Sequence, residues 1–104
     1  MRLELEPDMA VVGEAGDGAT GLALARAIHP TVVVMDIAMP IMDGLAATAA
    51  LSATVPDSAV VIHSLHDDRA TQERARVAGA SAFVSKHRLD LPLLAAIRQA
   101  GAPR

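Results

Sequence analysis

Short apolar runs that do not alternate constrain this chain more than any other feature. MAVV (9–12), TVVVM (31–35) and SAVVIH (58–63) are rich in β-branched residues, and SAFVS (81–85) is a weaker fourth. Strands exposed on one face alternate apolar and polar residues. Continuous β-branched runs are what parallel strands covered on both faces require. Between the runs lie GATGLALARAIHP, GLAATAALSA, DRATQERARVAGA and DLPLLAAIRQA, which read as helices. Asp17 and Asp68 stand where helix caps belong, Pro92 in a first turn, Pro30 after the second run's preceding helix, and Gly79 after the third helix. Strand and helix alternate throughout, which predicts an α/β fold: an open parallel sheet with helices on both faces.

Length and composition narrow the setting. With 104 residues the chain fits one domain, and 52% hydrophobic against 20% charged residues excludes a disordered segment. No apolar run approaches the roughly 20 residues of a membrane span, so no membrane partner is expected. MRLELEPDM lacks the apolar core of a secretory signal, and there is no cysteine; a cytoplasmic location follows as the expectation. A net charge of −3 without a basic cluster argues against direct nucleic-acid binding by this segment. The single aromatic residue is Phe83.

In open parallel sheets, ligands bind beyond the carboxyl ends of the strands. Asp36 follows the second run, Ser64 the third and Lys86 the fourth. Parallel strands bring these ends to one rim, so a carboxylate, a hydroxyl and an ammonium are expected there together. A carboxylate can attack a phosphoryl donor. The acyl phosphate so formed, with about two negative charges, calls for a hydroxyl donor and a cation nearby.

VVGEAGDG, MDIAMPIMDG, VVIHSLHDD, AGASAFVSK and LLAAIRQA, in this order, resemble successive elements of the receiver domain of two-component response regulators, most closely the NarL/FixJ type. The likeness runs from about Leu3 to Ala100. It implies the flavodoxin-like receiver fold, and a function as the module that accepts phosphate from a histidine kinase rather than as an enzyme. Carried over, Asp36 is the phospho-acceptor, Ser64 the switch hydroxyl, Lys86 the phosphate-pairing cation and Phe83 the switch aromatic. Magnesium is the implied cofactor, with Asp36 and the backbone carbonyl of Ala38 among its ligands.

The family opens with a strand ending in an acidic pair, followed by a first helix. This chain opens near the end of that helix, so residues 1–104 are expected to be an N-terminally truncated receiver, without an output domain. The resemblance then implies that the other magnesium carboxylates are missing and that the sheet lacks its central strand. A homodimer or a strand-donating partner would be one response, and an interaction module that is never phosphorylated is the alternative function. His87 stands where many receivers carry proline.

Two competing motifs are weaker. GDGATG (16–21) matches G-x-G-x-x-G, with Asp36 20 positions beyond the first glycine, but Glu14 and Asp17 would set negative charge beside a pyrophosphate. A haloacid-dehalogenase-like D-x-D is broken by alanine at position 38. Asp43 before Gly44 reads as a turn and helix cap, and His63 as a core histidine.

Overall fold

The computed structural model describes residue 13 and residues 15–38, 42–88 and 90–102. The run MAVV, Glu14 and the Met39–Ile41 part of the MDIAMPIMDG motif lie outside the described residues. Seven elements follow one another: α1 (Gly18–Ile28), β1 (Val32–Met35), α2 (Gly44–Thr54), β2 (Ala59–Ser64), α3 (Arg69–Ala78), β3 (Ala82–Ser85) and α4 (Asp90–Gly101). Among the described residues the sheet has three strands in the order β1-β2-β3. Both pairings are parallel, with Val33 opposite Val60 and Ile62 opposite Phe83. This is the predicted α/β architecture. The third run begins and ends one residue later than the sequence suggested, so Ser64 closes β2 instead of following it.

Local chemistry sets the element ends. The Asp17 carboxylate accepts the Thr20 amide at 2.8 Å, Asp43 accepts that of Ala46 at 2.8 Å, and Asp68 accepts that of Thr71 at 3.1 Å. Each satisfies an otherwise unpaired amide of a first helical turn. Asp43 is therefore a cap, as its sequence context predicts. His29 turns left-handed at φ 52° and donates its amide to Ala25, ending α1 before Pro30. Gly79 ends α3 at φ 108°, a conformation that favours glycine, and a Cβ there would lie 2.0 Å from the Ser52 hydroxyl.

Two apolar layers cover the sheet. On one face Leu22, Ala25, Leu45, Ala47, Leu51 and Ala75, from α1, α2 and α3, pack with Met35, Val60 and Ile62. On the other, Leu93 and Ile97 of α4 pack with Val61 and Val84. Strand residues of successive parity feed opposite layers, which is why the runs could not alternate with polar residues. β1 hydrogen-bonds β2 on one side and has no strand partner on the other among the described residues, and its Val34 is 38% exposed.

Leu51 is fully buried where α2 meets the sheet. Leu51→Ala is expected to lower unfolding free energy by about 2–5 kcal/mol, through lost transfer energy and a residual cavity. Urea denaturation followed by circular dichroism measures it. A loss below about 1 kcal/mol would mean that this layer collapses around the gap or is not the core.

Candidate functional site

The carboxyl ends of β1, β2 and β3 meet on one edge of the sheet. Asp36 is the first residue past β1, and its Oδ2 accepts a hydrogen bond from the Lys86 ammonium, 50 positions later in the chain. Its Oδ1 accepts the Ala38 amide at 3.2 Å. The Asp36 side chain is 31% exposed and that of Lys86 35%, so the ion pair stays open to an approaching molecule. Lys86 is aimed by its own backbone, whose amide donates to the Ser64 carbonyl at 2.9 Å.

Partial burial by itself pushes the Asp36 carboxyl up. The hydrogen bond and charge of Lys86, with the Ala38 and Ile37 amides, outweigh it and hold the group below the ordinary value of 3.8. Because the folded value lies below the unfolded one, the pair contributes its stability above the ordinary value and loses it as pH falls through the lowered one. Lys86→Ala removes the main opposing causes and leaves the burial penalty. The Asp36 titration, followed by the NMR shift of its carboxyl carbon, is then expected to move upward; an unchanged midpoint would show that Lys86 does not set it.

Ser64 is fully buried, and its hydroxyl accepts the His66 amide at 3.1 Å, so in this state it serves its own loop and bonds neither Asp36 nor Lys86. Leu65, the next residue, is 56% exposed. Phe83 is half-buried against the first apolar layer and lines a shallow depression with Gln72, Ala75, Arg76 and Ala80. Ile62 and Ser64 share one strand face, and Phe83 lies opposite Ile62. The structure thus joins Asp36 to Lys86 directly, and places Ser64 and Phe83 on the neighbouring strands. The Lys86–His87 peptide is trans, as are all others described.

Residues not singled out in the sequence complete the site. The Gly44 amide donates to the Ile37 carbonyl at 3.0 Å, and a Cβ on Gly44 would lie 2.0 Å from the carbonyl oxygen of Asp36. The start of α2 therefore presses on the backbone that carries the acceptor candidate. Ser85, last in β3, donates its hydroxyl to the Asp67 carboxylate at 2.5 Å. A serine closing a strand and an aspartate in a loop give no sequence signal that they pair.

The glycine motif at 16–21 has another use: Asp17 occupies the α1 N-terminus with its own carboxylate, where a pyrophosphate would have to sit. His63 is half-buried in β2 and interacts with its surroundings there.

Magnesium takes six oxygen ligands in near-octahedral geometry. Among the described residues no three acidic, histidine or cysteine side chains gather to hold a metal, and both Asp36 oxygens already accept hydrogen bonds. Asp36 and the Ala38 carbonyl alone do not make up such a site. No described helix is long and apolar enough to cross a membrane.

Comparison with known proteins bears on the family and the fold. The chain is 41% identical over 87 residues to protein-glutamate methylesterase/protein-glutamine glutaminase 3 of Anaeromyxobacter dehalogenans, an alignment spanning 83% of this chain and 25% of that protein. It is 34% identical over 104 residues to the transcriptional regulatory protein LiaR of Bacillus subtilis, covering 98% of this chain and 49% of the relative. The chain thus spans a quarter to a half of the length of these relatives. Among solved structures, the signal receiver domain of the response regulator NarL from Mycobacterium tuberculosis superimposes with a TM-score of 0.91 at 34% identity, covering 98% of this chain and 82% of that one. The response regulator domain of Thermotoga maritima CheB gives 0.86 at 30% identity, covering 98% and 84%. The family model for the response regulator receiver domain matches residues 1–98, and the chain belongs to that family.

Proposed function

We propose that this chain, as the receiver module of a two-component system, takes a phosphoryl group onto the Asp36 carboxylate from the phosphohistidine of a histidine kinase. The observation that carries the reading is the Asp36–Lys86 pair on the strand-end rim: an ionised, one-third exposed carboxylate already matched to a cation. A carboxylate oxygen attacks phosphorus, the new O–P bond forms, and the N–P bond of the donor breaks. Lys86 then passes from the carboxylate to the phosphoryl oxygens without leaving the rim, and so offsets the added charge. Ser64 becomes the hydroxyl donor when its loop releases the His66 amide, and Phe83 repacks with it. Receiver domains generally bind Mg2+ for phosphorylation; the two ligands this chain offers, Asp36 and the Ala38 carbonyl, fall short of a six-oxygen site, so the charge on the transferring group is left chiefly to Lys86.

In this reading the chain is a signalling module and not an enzyme with its own substrate. The methylesterase of its first-named relative is a separate domain's activity. In relatives such as LiaR, which are longer than the matched segment, the regulatory output is transcriptional; a cytoplasmic setting fits this module.

Incubation with acetyl phosphate and magnesium, followed by intact mass, tests the assignment. Gain of one phosphoryl group is expected. No gain, or a gain located by peptide mapping away from Asp36, would overturn it.

A further inference from the structure

The loop from Leu65 to Asp68 is fastened on the side away from Asp36. Ser85 and Ser64 are opposite each other in the β2–β3 register, while Asp36 belongs to the far side of β2, past the end of β1. From β3 the Ser85 hydroxyl donates to the Asp67 carboxylate at 2.5 Å. That is the short, charge-assisted kind of hydrogen bond, and it is partly buried. The Asp67 carbonyl is held as well, by the Gln72 side-chain amide at 2.7 Å. The same Ser85 oxygen accepts the His87 amide at 3.0 Å, and so also fixes the turn from which Lys86 reaches across to Asp36.

We propose that Ser85 is a positioning residue: through Asp67 it draws the loop that follows Ser64 toward β3, and so restrains the Ser64 hydroxyl, at the end of β2, from approaching Asp36. For that hydroxyl to reach a group on Asp36, the loop shifts across β2 toward β1, away from Ser85. A bond made only in the resting arrangement opposes that shift, and its removal moves the population toward the arrangement in which Ser64 serves the acceptor. The restraint also keeps the Asp67 carboxylate turned to a hydroxyl, at a distance from an incoming anion. This inference rests on the assignment of Asp36 as acceptor.

Amide hydrogen exchange on the unphosphorylated chain tests the fastening without any phosphate chemistry. Asp67→Ala should speed exchange in residues 65–68 and leave His87 unchanged, whereas Ser85→Ala should speed both. Combining the two should speed the loop no further than Ser85→Ala does, because they remove one bond. Ser85→Thr keeps the hydroxyl and should restore protection, and Asp67→Asn keeps an acceptor oxygen without the charge. In the acetyl phosphate reaction Asp67→Ala should take up phosphate about 10-fold faster than wild type or more, the scale of one hydrogen bond to a charged group. Asp67→Asn should fall well short of that gain. Unchanged loop exchange in Ser85→Ala would overturn the fastening. A looser loop with no faster uptake in Asp67→Ala, or equal uptake by Asp67→Asn, would overturn the positioning role. If wild type takes no phosphate, the Asp36 assignment fails, while the exchange data still decide whether Ser85 holds the loop.

Discussion

Asp36→Asn is expected to abolish phosphate uptake from acetyl phosphate while leaving the fold in place. The asparagine has nearly the same shape, and its carbonyl oxygen can still accept from the Lys86 ammonium that binds Asp36 in the wild type. What it loses is the negative charge that makes the oxygen a nucleophile, and loss of a nucleophile costs about 10³-fold in rate or more. Stability should change by no more than about 1 kcal/mol, since an ion pair this open to solvent contributes little. Intact mass over time reads the first effect and thermal unfolding the second. Undiminished mass gain in Asp36→Asn would mean that another side chain accepts the group.

Gly44→Ala should damage fold and chemistry together, although residue 44 touches no ligand. An added Cβ would lie 2.0 Å from the Asp36 carbonyl oxygen and 2.9 Å from the Ile37 Cα, both backbone atoms without rotamer freedom. Either α2 moves off the rim or the strand end carrying Asp36 is displaced. The overpacking should cost about 1–3 kcal/mol. A displacement of about 1 Å at the acceptor should slow phosphate uptake on the order of 10²-fold. The same substitution at Gly16, where a Cβ meets nothing within 4 Å, is the control and should change neither quantity. Wild-type stability and uptake in Gly44→Ala would show that the contact is easily relieved.

The pairing of Asp36 with Lys86 was legible in the sequence because topology carries it. Once β-branched runs imply parallel strands, the residues after them must share an edge, however far apart they lie in the chain. Helix starts were legible too, since Asp17, Asp43 and Asp68 each act on the third residue beyond them. Illegible were contacts set by lateral register. That Ser85 faces Asp67 depends on β3 pairing with β2 so that Ser85 falls opposite Ser64. A slip of one residue would turn that hydroxyl to the other face. Gly44 looked like an ordinary residue after a cap; its closeness to Asp36 comes from how tightly α2 docks, which no local pattern encodes. The state of Ser64 was hidden for a similar reason, because a serine at a strand end can equally well serve its own loop or a neighbour.

Helix α3 contributes only Ala75 to the buried layers, while its Val77 is 72% exposed and its ion pair, Arg76 with Glu73, is internal to the helix. Moving it as a unit would uncover little apolar surface, and the salt link would travel along. At about 25 cal/mol per Å² of apolar area, one alanine's worth of surface is a small toll. The helix next to the strand-end rim is thus the loosest plank of the scaffold, able to drift under a bias that α2, moored by Leu45, Ala47 and Leu51, would not feel.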